Sequence, residues 1–266
     1  MNKLAWVTDI HLNFLRKEEI KIFCSEILKS EPEALLISGD ISETPHLKKH
    51  LELLEENLQI PIYFVLGNHD FYFGEIAQVR QEVTQLSQQK RFLKWLPAVE
   101  IVELTPKTCL LGHDGWGDGR FGDFHNSPVM LNDFLLISDL VVPNNKELFK
   151  VLNQLGDEAA NFLQSILPKA FTKYEKVILV THVPPFQEAC LYRGKISDNN
   201  YLPFFSCKAV GDMLHKIMSD HPEKEMLVLC GHTHGQGQAQ ILPNLLVKTG
   251  GAIYGKPHLQ ELIIID

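Results

Sequence analysis

The chain has no apolar run approaching the roughly 20 residues that cross a bilayer. Its first residues, MNKLAWVTDIH, meet Asp9 before the apolar region of a secretory leader is complete. Neither a membrane span nor a leader is therefore expected. Cysteine is sparse and scattered: Cys24, Cys109, Cys190, Cys207 and Cys230, with no C-x-x-C spacing. An odd, dispersed set argues against a disulfide framework and for reduced thiols in a cytoplasm-like compartment. Positive charge is in deficit, with 25 Lys and Arg against 33 Asp and Glu and a formal net charge of -8. A general nucleic-acid binder driven by phosphate attraction is disfavoured on that balance. Repeats, low-complexity tracts and linkers are also missing, so the 266 residues read as one domain.

What is present is a 45% hydrophobic share, enough for a sizeable core, and twelve histidines. The first half alternates β-rich runs with helical periods. Strands are predicted at 4–7, 34–38 and 62–66, with helices at 16–30, 46–58 and 75–96. That rhythm indicates an α/β chain with a parallel-rich sheet and covering helices. Further on, 99–104 and 108–114 read as a hairpin, 129–142 and 145–168 as helical, and 176–182 as a strand. The stretch 207–219 reads as a helix, and 226–230, 245–249 and 260–265 as strands. The segments near 113–170 and 183–205 stand out as insertions able to form a cap. The helix at 145–168 reads as scaffold or cap.

Five apolar strands run out into metal-binding residue types. LAWVTDIH ends in Asp9 and His11, ALLISGD in Asp40, and YFVLGNHD in Asn68, His69 and Asp70. VILVTH ends in His182, and MLVLCGHTH in His232 and His234. In α/β sheets, sites gather beyond the carboxyl ends of the strands. Imidazole with carboxylate suits first-row divalent ions, and the lack of thiolates argues against a structural zinc site. Asp9, Asp40, Asn68, His11, His182, His232 and His234, with His69 to spare, are seven candidate ligands and exceed the need of one ion. They suit two ions sharing a bridging carboxylate, about 3.5–4 Å apart, that hold a hydroxide and clamp an in-line displacement at phosphorus. Asp9 and His11, like His232 and His234, stand two apart, so on extended backbone their side chains point the same way. Gly39, Gly67 and Gly231 are expected to let the chain turn sharply at each strand end.

These ordered motifs, D-x-H, G-D, G-N-H-D, a lone histidine and G-H-x-H, resemble the calcineurin-like metallophosphoesterase superfamily. They span residues 9 to 234. The resemblance implies two mixed β-sheets packed face to face and flanked by helices. It also implies that Asp9, His11 and His234 bind one metal, that Asn68, His182 and His232 bind the other, and that Asp40 bridges them. His69 would face the scissile group and stabilise or protonate the leaving oxygen, with Asp70 orienting His69 and raising its basicity. The metals expected are two divalent ions among manganese, iron, zinc, cobalt and nickel, with manganese or iron favoured. The Asp-Arg that follows G-D in protein serine/threonine phosphatases is missing, because the stretch here reads GDISETPH. The pattern is closer to compact bacterial-type phosphoesterases. The expected activity is hydrolysis of a small phosphodiester or nucleotide-type phosphoester. Phosphomonoesters, pyrophosphates and nucleic acid are alternative substrates of the same site. A non-catalytic scaffold would be expected to have lost ligands or His69, and this chain has kept them.

Substrate contacts are expected from the two insertions. Arg120 is a candidate for bidentate phosphate binding, Trp116 for stacking, and His113 for a place behind the metals. Tyr192, Arg193 and Lys195 are candidates for the phosphate or its leaving group. His46, His50, His125, His215, His221 and His258 read as surface or structural.

Overall fold

A computed structural model describes residues 2–265. The chain opens with β1 (Lys3–Val7), α1 (Lys17–Lys29), β2 (Ala34–Ser38), α2 (Thr44–Leu58), β3 (Ile62–Val65), α3 (Ile76–Gln89) and β4 (Leu93–Trp95). A short α4 (Leu96–Val99) leads to β5 (Val102–Glu103), β6 (Thr108–His113), α5 (Asp133–Leu136), α6 (Asn145–Phe171) and β7 (Lys176–Thr181). The remainder is β8 (Leu191–Tyr192), β9 (Lys195–Ile196), α7 (Leu202–Phe205), α8 (Lys208–Asp220), β10 (Glu225–Cys230), β11 (Gly237–Leu242), β12 (Leu245–Thr249) and β13 (Glu261–Ile264).

Two mixed sheets result. The first has the order β13-β1-β2-β3-β4, with only β13 antiparallel. The second has the order β11-β12-β10-β7-β6-β5, parallel from β12 to β6 and antiparallel at both edges. Pleating sorts the side chains. Leu4, Trp6, Leu36 and Val65 meet Leu110, Ile178, Val180 and Leu229 between the sheets. Their neighbours Ala5, Val7, Leu35, Ile37 and Phe64 face α1, α2 and α3. On the far side Cys109, Leu111, Val177, Leu179 and Val228 face α6 and α8. Four layers follow, and the central strands are apolar on both faces because both faces are covered.

Several sequence expectations need correction. The helix expected over 75–96 stops at Gln89, and the FLKW alternation that follows forms the edge strand β4 instead. The expected 99–104 strand shrinks to Val102–Glu103 because Leu96–Val99 is helical. The 129–142 stretch contains only α5 and one 3-10 turn at Ser138–Leu140. α6 runs through to Phe171 and packs with α8 against the second sheet. The weakly patterned 183–205 stretch carries a hairpin, β8–β9, whose turn residues Arg193 and Gly194 both have positive φ. No helix among the described residues is long and apolar enough to cross a membrane.

Candidate metal centre and cleft

The parallel strands point their carboxyl ends to one edge of the sandwich, and the loops beyond them carry the motif residues. Those loops are laced together. Asp9 N–H donates to Gly39 O (3.1 Å), His11 N–H to Asp40 O (3.0 Å) and Gly231 N–H to His182 O (2.9 Å). The backbone is not extended there. Asp9 (φ 48°), His11 (39°), Asp40 (52°), His232 (71°) and His234 (57°) are all left-handed. Each such non-glycine residue costs about 1 kcal/mol or more. The pairs Asp9/His11 and His232/His234 therefore converge by sharp turns and not by strand pleating, which corrects the expectation of extended backbone. The glycines also act differently than expected. Of Gly39, Gly67 and Gly231, Gly39 alone has a positive φ (91°). Gly67 is required by space, since a Cβ there would sit 2.1 Å from Asp40 Oδ1 and 2.7 Å from His182 Nε2. At Gly231 a Cβ would sit 2.1 Å from Asp9 Oδ2.

Donor atoms of Asp9, His11, Asp40 and His234 lie within 4.8 Å of one another and form a candidate metal site. His234 Nε2 is 3.3 Å from Asp9 Oδ1 and 3.3 Å from His11 Nε2. Asp40 faces both ways. Its Oδ2 is 3.7 Å from His11 Nε2, and its Oδ1 is 3.4 Å from His182 Nε2. His182 Nε2 in turn lies 3.1 Å from Asn68 Oδ1. The ring tautomers suit cation binding. His182 Nδ1 is held by Ser38 O (2.8 Å), leaving Nε2 for the site, and His232 Nε2 is held by Phe204 O (3.1 Å), leaving Nδ1. Two imidazoles anchored in this way, together with the inward-facing oxygen donors, fit a first-row divalent ion.

The charges reinforce one another. Burial would raise Asp40, but His182 and His69 beside it hold its carboxyl well below the usual range. Burial would lower His182, but Asp40 and then Asp9 carry it up to about 10. His11 falls to about 4 through burial, and His232 to about 3 through burial and the neighbouring His182. One pH effect follows. The unfolded histidine titrates near about 6.5, so the His182 contribution is fully present below that value and is lost as pH rises through about 10. Chelator-treated protein is therefore expected to melt lower at pH 9.5 than at pH 7. Excess divalent metal should narrow the gap, because a cation then replaces the proton. Differential scanning calorimetry with and without metal tests this, and equal melting of the chelated protein at both pH values would refute it.

The structure separates the remaining candidates. His69 lines the cleft, with Nε2 3.9 Å from Asp40 Oδ2 and its ring stacked on Tyr72 at 4.3 Å. Asp70 does not orient it. The Asp70 carboxylate accepts from the backbone N–H groups of Ser42 (2.7 Å), Gly67 (2.9 Å) and Ile41 (3.0 Å), while His69 Nδ1 is buried without a partner. Asp70 thus ties the loop after β2 to the loop after β3. Burial and then Asp40 raise its carboxyl to about 8, against those three donors. His113 points into the α6 layer beside Phe162, away from the metal ligands. Trp116 is buried against Phe71 and cannot stack on a ligand. Arg120 is occupied by Asp118 (3.1 Å) and Asp157 (2.8 Å). Arg193 sits at the hairpin tip over Tyr192, whereas Tyr192 and Lys195 do line the cleft. Sequence reasoning missed Tyr254, whose ring lies 4.5 Å from His11 and 4.9 Å from His234. It also missed Asp133, which accepts from Asn68 and Tyr72. Neither carries a motif signal.

The cleft over this centre has a volume of about 720 Å³. Asp40, Asn68, His232 and His234 of the candidate centre line it, and Tyr192, Tyr201, Tyr254, Phe205, Met130 and Ile196 supply much of its wall.

A family model described as calcineurin-like phosphoesterase matches residues 3–236. The chain belongs to that family. This chain is a metal-dependent phosphoric ester hydrolase. Solved structures agree on the fold. Phosphopantetheinyl hydrolase from Mycobacterium tuberculosis is similar at TM-score 0.68 and 14% identity, over 94% of this chain and 89% of that one. A dimetal phosphatase from Danio rerio is similar at TM-score 0.59 and 14% identity, over 94% and 87%. The protein TT1561 of Thermus thermophilus is similar at TM-score 0.54 and 13% identity, over 94% and 89%. No curated protein sequence matches significantly.

Proposed function

We propose that this phosphoesterase holds two divalent ions and hydrolyses a small phosphodiester or nucleotide-type phosphoester. The observation that carries the dinuclear reading is Asp40, whose two carboxylate oxygens face separate donor sets. Asp9, His11 and His234 would hold one ion, Asn68, His182 and His232 the other, and Asp40 both. Bound there, the ions supply an activated water and polarise the phosphoryl oxygens. The chain does the rest. Asn68 and His69 face the cleft where the phosphoryl group would lie. His69 Nε2 holds the proton passed to the leaving oxygen. Manganese or iron suits the imidazole–carboxylate set.

The walls support the substrate class. Tyr192, Tyr201, Tyr254 and Phe205 offer planar and apolar contact to an organic group attached to the phosphate. Among the described residues lining the cleft, Lys195 is the one lysine or arginine. A polyanion needs a row of cations to follow its backbone, so a small substrate suits this cleft better than nucleic acid. Five free, buried thiols support a reducing, cytoplasm-like compartment.

The test pairs metal analysis with a hydrolysis screen on chromogenic monoester, diester and pyrophosphate substrates, with and without manganese. About two ions per chain and metal-dependent turnover, strongest on the diester, are expected. One ion per chain, or preference for the monoester, would overturn that part of the reading. For an aromatic diester, Tyr254→Ala is expected to raise KM by about 2- to 10-fold. Its metal content should be unchanged, and an unaltered KM would remove Tyr254 from the binding wall.

A further inference from the structure

Asp133 is a buried carboxylate that no strand-end motif explains. It opens α5 and is 4% exposed. Its Oδ1 accepts from two donors, Asn68 Nδ2 (2.9 Å) and Tyr72 Oη (2.7 Å). The surrounding segment is stitched to the loop that carries those residues. Phe73 N–H donates to Leu136 O (2.7 Å), Ser138 N–H to Gly74 O (3.1 Å) and Ile76 N–H to Asp139 Oδ2 (2.8 Å). Asp133 is therefore held in place by backbone on its C-terminal side, and its contacts do not depend on a mobile cap.

An asparagine amide has a donor end and an acceptor end, and only the oxygen suits a hard divalent cation. An ionised carboxylate accepts only. Asp133 therefore takes the NH₂ of Asn68 and leaves Oδ1 turned toward His182 Nε2, 3.1 Å away. The same carboxylate anchors Tyr72, whose ring stacks on His69 at 4.3 Å and 29°. His69 Nδ1 has no polar partner, so ring contacts orient it, and Tyr72 is the nearest of them at 4.3 Å, with the edge of His11 next at 4.7 Å.

We propose that Asp133 is the positioning residue of this centre. It fixes the Asn68 amide with its oxygen toward the second metal position and holds Tyr72 as the platform for His69. This rests on the dinuclear reading above.

The experiment titrates manganese into the metal-free full-length protein and counts ions per chain in wild type and variants, each checked for folding by circular dichroism. In Asp133→Asn the acceptor-only constraint is lost, and the second manganese should bind about 10- to 100-fold more weakly, with the first nearly unchanged. Asn68→Asp sets two carboxylates face to face. It too should weaken the second ion, although an aspartate is the better ligand taken alone. The double variant Asn68→Asp/Asp133→Asn exchanges donor and acceptor and should bind the second ion more tightly than either single variant. Tyr72→Phe keeps the ring and the Asp133–Asn68 bond, so both ions should bind as in wild type.

A wild-type chain that takes up one ion would overturn the dinuclear reading. Two ions in wild type, with undiminished binding in Asp133→Asn or tighter binding in Asn68→Asp, would overturn the role of Asp133 alone. Equal weakening of both ions, or a double variant worse than both singles, would also overturn it.

Discussion

Replacing His69 with alanine is expected to lower kcat by about 10²–10⁴-fold, while the protein keeps the metal content of wild type. His69 follows β3, its Nε2 is 3.9 Å from Asp40 Oδ2, and its ring lines the cleft. It contributes no atom to the cluster of Asp9, His11, Asp40 and His234. Removing the ring should therefore spare metal binding and remove proton delivery to the leaving oxygen. That division gives a sharper test than activity alone. A nitrophenolate leaves without a proton, whereas an alkoxide needs one. The loss should therefore be much smaller for a nitrophenyl ester than for an alkyl ester. Equal losses on both would show that His69 stabilises charge at phosphorus and is not the acid. Loss of metal in the variant would make it a ligand.

Asp40→Asn is expected to have the other large effect. The substitution is nearly isosteric, so the backbone N–H of His69 can still donate to the side-chain oxygen, as it does now at 2.9 Å. What disappears is the negative charge facing both donor sets. The charge that carries His182 to about 10 comes first from Asp40, so the electrostatic balance of the buried cluster changes as well. Both ions should bind far more weakly, and kcat/KM should fall by at least about 10³-fold, the equivalent of about 4 kcal/mol in transition-state stabilisation. Metal counting by mass spectrometry of the purified variant checks this. Loss of one ion with the other intact would mean that Asp40 serves a single metal. Retention of both with near-normal activity would remove it from the centre.

The strand ends were legible because their signal is local. A buried parallel strand must end at the sheet edge, and polar residues just beyond that edge are either turn formers or ligands. Asp9, Asp40, Asn68, His182 and His232 each carry that signal within a few residues of a strand. The insertions carried no such signal, and His113, Trp116 and Arg120 are placed away from the cleft for a common reason. A residue's type does not say which face of an element it occupies. His113 shares the parity of Cys109 and Leu111 on β6, and that face is covered by α6. Trp116 and Arg120 have the chemistry of ligand contacts, but neighbouring layers claim them, Phe71 for the one and Asp118 with Asp157 for the other. Asp70 sits beside His69 in sequence, yet its carboxylate is directed to backbone amides of two loops.

The sequence by itself determined the α/β alternation, the family and the residues able to bind metal, because each rests on neighbours a few positions apart. Tertiary structure alone decided how those residues converge. The left-handed turns at Asp9, His11, Asp40, His232 and His234 persist because adjoining loops hydrogen-bond across them. It also decided which aromatic side chains wall the cleft and that Asp133 meets Asn68 across 65 positions of chain. Contacts at such separation depend on how the layers stack, and no short stretch of sequence encodes that.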